Sequence, residues 1–170
     1  VEDKFVIPNS RVFLAQLEVP LETIEMAFTQ ARSNGAVTVL NPAPARDIPA
    51  SLLSLANIVV PNETESVAVG GTKQLLQSGV ATVVTTLGAD GASIDTASST
   101  THIAPYKVTP VDTVGAGDAF IGATCAELSR GSSIEDAARM GAIAGALATT
   151  VKGAVPSLPT RQAVLAAQKS

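Results

Sequence analysis

The residues best suited to chemistry lie in one stretch, Asp112-Thr113-Val114-Gly115-Ala116-Gly117-Asp118-Ala119-Phe120. Gly115 and Gly117 let the backbone approach a ligand closely and adopt conformations that other residues resist. They stand directly before a strongly helical run. Consecutive free N–H groups at a helix start form an anion site, strengthened by the helix dipole. Asp118 falls in that first turn, where a carboxylate suits the dipole but repels a bound phosphate. Such repulsion is useful only if the carboxylate faces a nucleophile. In phosphoryl transfer an Asp accepts the proton of the attacking hydroxyl while amide donors hold the charge developing on the transferred group. A Gly-rich loop followed by an acidic residue at a helix start, with no chemistry, fits the same residues.

Two other phosphate-binding patterns fail on spacing. Gly115-x-Gly117 is followed by Gly122, not by the third glycine of a dinucleotide-binding Gly-x-Gly-x-x-Gly. No Gly-x-x-x-x-Gly-Lys-Ser/Thr loop occurs anywhere in the chain.

The elements that must position this stretch alternate short apolar runs with amphipathic ones. Val12–Leu17 reads as a strand, and Pro20 opens a helix through about Ser33. Val37–Leu40 reads as a buried strand ending in a Pro-rich loop, Ile48–Leu55 as a short helix, and Ile58–Val60 as a third strand. Thr82–Leu87 is a fourth strand, and Asp90-Gly91 marks a tight turn into Ala92–Asp95, with Thr101–Ala104 pairing back antiparallel. Helices are predicted over Ala116–Ser129, ended by Gly131, and over Ile134–Val151, with a last helix from about Thr160. Such alternation predicts one α/β domain over residues 1–170 with a mostly parallel sheet. Ligands of such sheets sit beyond the C-terminal ends of the strands.

Composition narrows the partners. The 170 residues are 46% hydrophobic and 15% charged, enough apolar material for one packed core. Aromatics make up only 3%, so the core is built from Ala, Val, Leu and Ile, as suits helices on a parallel sheet. A net charge of −4 with no Lys/Arg cluster argues against nucleic acid, which needs a basic surface. A nucleoside triphosphate remains compatible, because a metal and backbone amides neutralise its charge locally. The longest weakly polar run, Met140–Val151, is too short to span a bilayer, so no membrane partner is expected. Cys125 is the single cysteine, read as core packing, and a reducing cytoplasm is the simplest location. No signal-peptide pattern is visible, and Val1 is not an initiator methionine.

Asp112–Phe120 resembles the C-terminal signature of the ribokinase family of carbohydrate kinases. Three further segments resemble that family in the right order. They are the loop Asn41-Pro42-Ala43-Pro44-Ala45-Arg46, the metal and phosphate segment Pro61-Asn62-Glu63-Thr64-Glu65, and the nucleotide loop Thr86-Leu87-Gly88-Ala89-Asp90-Gly91. The resemblance implies Asp118 as the base for a sugar hydroxyl, with Gly115, Ala116 and Gly117 supplying anion-hole amides. It implies Asn62 and Glu65 as organisers of a magnesium–phosphate cluster, both on one helix face. An Asn N-cap with Glu at N3, forming a capping box, is the plainer reading of the same pair. The nucleotide ATP would be bordered by Asn62, Thr86, Leu87, Gly88, Ala89, Asp90, Gly91, Gly117 and Asp118. Glu18 corresponds to an acidic position that contacts the sugar. A monovalent cation (K+) would lie near Asp112 and Ser157, with backbone oxygens of Val114, Ala148, Val151 and Gly153. His102, the sole histidine, matches no functional position and reads as a surface strand residue.

Two features depart from the family pattern. Family members are much longer, and the portion that carries most sugar contacts and a small β lid precedes the matched stretch. That lid often mediates dimerisation, so a homodimer is expected of the full-length protein. Pro61–Val80 is also short for a strand–helix–strand crossover, leaving Thr72–Gln77 for the helix; either it is trimmed or residues are absent. The expected fold is therefore a ribokinase-like α/β portion, and the expected reaction is ATP-dependent phosphorylation of ribose at its primary hydroxyl. A relative acting on another sugar or nucleoside, and a nucleotide-binding fragment without turnover, are the alternatives.

Overall fold

The computed structural model describes residues 8–169, so the reading of Val1 lies outside it. Six strands form one sheet in sequence order. Four are parallel: β1 (Val12–Gln16), β2 (Val37–Asn41), β3 (Ile58–Val59) and β4 (Thr82–Thr86). Then β5 (Ala92–Asp95) and β6 (Thr100–Ile103) add an antiparallel hairpin on one side, so among the described residues β1 and β6 are the two edges of the sheet.

The short apolar runs are buried on both faces, as expected of parallel strands under helices. Leu40, Val59 and Val83 point into one core with Phe28 of helix α1 (Leu21–Ser33), Leu52 of α2 (Ala50–Leu55) and Leu75 of α4 (Gly71–Gln77). Their neighbours Val39, Ile58, Val60 and Val84 point into the other. There they meet Phe120 and Ile121 of α5 (Ala116–Leu128) and Ala138 of α6 (Ile134–Ala148). This alternation is the two-residue period of a strand applied to continuous apolar sequence. Cys125 packs against the second core, and burial pushes its thiol up to about 11, in keeping with packing rather than reactivity.

The elements match the sequence-based expectation closely, with three local differences. The β3–β4 crossover holds a further helix, α3 (Glu63–Ala68), before α4. Gly70 and Gly71, with φ of +95° and +84°, turn the chain between the two. Helix α6 stops at Ala148 because Thr149 and Thr150 turn their hydroxyls back onto the carbonyls of Ala146 and Leu147. A short helix, α7 (Ala154–Ser157), precedes α8 (Arg161–Gln168). Helix α8 is held to α5 by Arg161, which donates to the buried Glu127 carboxylate at 2.7 and 3.3 Å.

Helices α5 and α6 approach through glycine. A Cβ on Gly145 would lie 3.0 Å from the Ala116 carbonyl oxygen. One on Gly141 would lie 2.8 Å from the Phe120 carbonyl oxygen and overlap the Thr124 hydroxyl. Both contacts fall on the first turns of α5, so they decide where that helix begins. Gly141→Ala is accordingly expected to lower the unfolding free energy by about 1–3 kcal/mol through overpacking. A urea midpoint equal to wild type would show that the two helices separate without cost.

Candidate active site

The parallel strands end together, presenting Gln16 from β1, Asn41 from β2, the segment Val60–Asn62 after β3, and Thr86 from β4. Helix α5 starts at this rim. Its N-cap, Gly115, sits in the left-handed region with φ +81°. An added Cβ there would lie 3.1 Å from the Ala154 Cα, so both conformation and space call for glycine. The first-turn N–H groups of such a helix have no intrahelical acceptor. Gly117 and Asp118 are exposed, and no atom would touch a Cβ placed on Gly117. The Ala116 N–H departs from the expected anion hole, donating instead to the Thr113 carbonyl at 3.2 Å, while the Gly117 backbone faces open space that can admit an anion.

Asp118 lies between two grooves. One, of about 290 Å³, runs along the open edge of β1 and is lined by Leu14, Gln16, Asp118 and Ile121. The other lies between α5, α6 and α8 and ends at the Glu127–Arg161 pair. The Asp118 carboxylate meets the Gln16 side-chain amide, Nε2 to Oδ1, at 3.4 Å. Glu18 is exposed just past the end of β1, and no hydrogen bond ties it to another of the described residues.

Asn62 and Glu65 come together differently from the expectation of two side chains on one helix face. Asn62 is the N-cap of α3 and so lies outside the helix. Its Oδ1 accepts from the Glu65 N–H at 2.8 Å, and Glu65 Oε2 accepts from the Asn62 N–H at 2.9 Å. This is the reciprocal capping box. Asn62 also bridges to Thr86, which places the cap beside the end of β4.

The loop after β4 is closed on itself. Leu87 donates its N–H to the Gly91 carbonyl at 2.8 Å, and residues 88–90 form a single 3₁₀ turn. Gly88 and Gly91 take φ of +55° and +87°, and a Cβ on Gly91 would overlap the Ile103 carbonyl. His102 is exposed on β6, as expected, but it has a task the sequence did not reveal. Its Nε2 bonds the Asp90 carbonyl at 2.8 Å and ties the loop to the hairpin.

The pfkB family carbohydrate kinase model matches residues 3–161. This chain belongs to that family. It is 40% identical to the ribokinase of Staphylococcus aureus (strain COL) over 177 aligned positions, covering 96% of this chain and 58% of the relative. The alignment is longer than the chain's 170 residues, so the relative carries positions that this chain lacks. Among solved structures, the Thermotoga maritima ribokinase superposes with a TM-score of 0.86 at 30% identity, covering 95% of this chain and 57% of the other. The Arabidopsis thaliana ribokinase complexed with ribose and ATP gives 0.85 at 29%, covering 94% and 56%. The fold is ribokinase-like, and the chain spans little more than half the length of these pfkB-family relatives.

Within this pfkB-family chain the residues expected around a monovalent cation are each engaged in local hydrogen bonds, and these join Asp112 to Val114 and Gly153. Asp112 Oδ2 accepts from the Gly153 N–H at 2.8 Å and Oδ1 from the Val114 N–H at 3.1 Å. The buried Ser157 hydroxyl donates to the Ala154 carbonyl at 2.7 Å, and the Ala148 carbonyl accepts from the Val151 N–H at 3.3 Å. Each acceptor oxygen keeps a second lone pair, so this oxygen-rich set suits a hard cation. Among the described residues no group of three or more His, Cys, Asp or Glu forms a metal cluster, and no helix is long and apolar enough to cross a membrane. Magnesium bound with a nucleotide needs only one or two carboxylates. Glu65 has one oxygen outside the capping box and meets that need.

The Gly153 N–H, and then that of Val114, hold the Asp112 carboxyl below its ordinary value of 3.8. A group whose folded pKa is depressed stabilises the fold above its unfolded pKa and loses that contribution as pH falls through the folded value. Asp112→Ala should therefore lower stability most at neutral pH, and its gap to wild type should close as the solution is taken below pH 3.8. Denaturant unfolding across that range checks this, and a gap independent of pH would contradict it.

Proposed function

We propose that the whole protein containing this chain transfers the γ-phosphoryl group of ATP to the primary hydroxyl of ribose, giving ribose 5-phosphate and ADP. The observation that carries this reading is the position of Asp118. It is an exposed carboxylate in the first turn of α5, beside the exposed Gly117 and beyond the C-terminal ends of four parallel strands. Such a carboxylate accepts the hydroxyl proton as the sugar oxygen bonds to phosphorus and the bond to the ADP oxygen breaks. The N–H groups of Gly115 and Gly117 then donate to the phosphoryl oxygens as charge shifts between acceptor and leaving group, joined by that of Ala116 where it exchanges the Thr113 carbonyl for phosphate.

ATP would lie across the rim, from the Thr86–Gly91 loop to the start of α5. The exposed side chains of Val111, Val114 and Val155 offer apolar surface beside the latter. Magnesium, held between Glu65 and the phosphates next to Asn62, would neutralise the triphosphate. A monovalent cation on the Asp112–Ser157 oxygens would steady the loop that carries the anion hole. The Asn41–Arg46 loop, with the ribokinase relatives, supports ribose as acceptor. The groove beside β1, which Asp118 lines, supports an acceptor bound there. A cytoplasmic enzyme, homodimeric at full length, is the accompanying proposal.

Asp118→Asn in the whole protein should reduce kcat by on the order of 10²–10⁴, the usual cost of losing a general base, while ATP affinity holds. Calorimetric ATP binding together with a coupled assay of ADP release measures both, and near-normal turnover would remove Asp118 from the role. Residues 1–170 expressed alone should bind ATP yet release little ribose-dependent ADP. Orienting two reactants contributes roughly 7–11 kcal/mol, and the chain covers only 58% of a whole relative. Turnover comparable with the whole protein would refute that division of labour.

A further inference from the structure

We propose that Gln16 and Asn41 are positioning residues that aim the Asp118 carboxylate, an inference that rests on reading Asp118 as the base. The observation is a chain of side-chain amides crossing the ends of three strands. Asn41 is 5% exposed, and its Nδ2 donates to the Val60 carbonyl at 2.9 Å. Its Oδ1 accepts from Gln16 Nε2 at 3.0 Å, and the same Nε2 reaches Asp118 Oδ1 at 3.4 Å. Gln16 and Asn41 are direct partners in the β1–β2 ladder, so the register itself sets them side by side.

The direction of each amide follows from the one beyond it. The Val60 carbonyl can only accept, so Asn41 must turn its NH₂ toward β3 and its oxygen toward β1. An oxygen there can only be met by the NH₂ of Gln16. That leaves the second hydrogen of Gln16 for the carboxylate, whereas a flipped Gln16 would oppose oxygen to oxygen on both sides. Both hydrogens of Gln16 are thereby used. Asp118 Oδ1 is occupied, and Oδ2 is left for the hydroxyl proton. The 3.4 Å contact is long, as is common before a substrate closes such a site. Without the relay, the carboxylate of a first-turn helical residue is free to rotate among its rotamers, and misplacement on the ångström scale costs about 10²-fold in rate.

The test is a double-mutant cycle in the whole protein. Gln16→Leu keeps volume and removes the donor. It should lower kcat about 10- to 100-fold with KM for ATP within twofold. In the Asp118→Asn background the same change should cost less than about twofold, because the group it aims is gone. Equal losses in both backgrounds would overturn the proposal, since a general structural role lowers both alike. Should the whole protein phosphorylate no sugar, the functional reading falls separately, and the relay is read by NMR. The Gln16 side-chain amide signals are expected to shift on Asp118→Asn, and signals that stay in place would overturn the relay.

Discussion

Helix α5 can begin at the rim of the sheet only because its neighbour lets its backbone come close. Gly141 and Gly145 put bare α6 backbone against the Phe120 and Ala116 carbonyls, and Gly115 takes a left-handed turn against Ala154. Side chains at these three positions would push the α5 N-terminus outward or forbid the turn that starts it. The amides of the helix start, Asp118 and the Asp112 loop depend on that one placement. The Asp112 carboxylate then ties the loop to Gly153, so the turn entering α5 is braced from the far side of α6.

Three carboxylates near the rim differ in what holds them, and the difference separates their work. Asp112 is bound by two backbone N–H groups, and Glu65 by the N-cap N–H of its own helix. Both are committed to backbone, where an ionised acceptor adds most to local order. Asp118 has only a long side-chain contact and stands exposed in an open groove. A carboxylate that must take up and release a proton needs such freedom, and one that anchors a loop does not. The same contrast bears on how a chain of net charge −4 would accommodate the proposed triphosphate. Its acidic groups near the site are partly neutralised by amides, and the helix start supplies the opposite field.

The strands and long helices were legible because each carried its own local signal. Short runs rich in Val and Thr marked β2 and β4, Pro20 marked the start of α1, and Asp90-Gly91 marked the turn of the hairpin. The family motifs are each short and contiguous, and they fall at or just beyond the ends of the strands and at the start of α5. The structure places Asn62 and Thr86 together at that rim and gathers Asp112 with Gly153. Three features stayed hidden because they depend on residues far apart in sequence. Gln16 meets Asp118 across 102 residues, Asn41 meets Val60 across 19, and His102 meets Asp90 through hairpin register. Polar side chains at strand ends give no periodic signal, and only the ladder reveals which of them touch. The capping box was legible as one of two readings, but its geometry required knowing that Asn62 ends a loop rather than starts a helix face.

The two sides of the site are unequally supported within these residues. On the β4 side, Thr86–Gly91 is closed by its own hydrogen bonds, pinned by His102 and backed by the buried hairpin residues Ala92, Ile94 and Ile103. On the other side, β1 is an edge strand with Leu14 exposed, and Glu18 stands free beyond it. An open parallel edge with exposed apolar side chains is a surface that other structure normally covers. Relatives of nearly twice the length have chain to cover it. The Gln16–Asn41 relay runs along this same edge, from the well-packed interior of β3 outward to Asp118. Order on the unsupported side is thus carried from the supported one, through amides whose direction is fixed at the buried end.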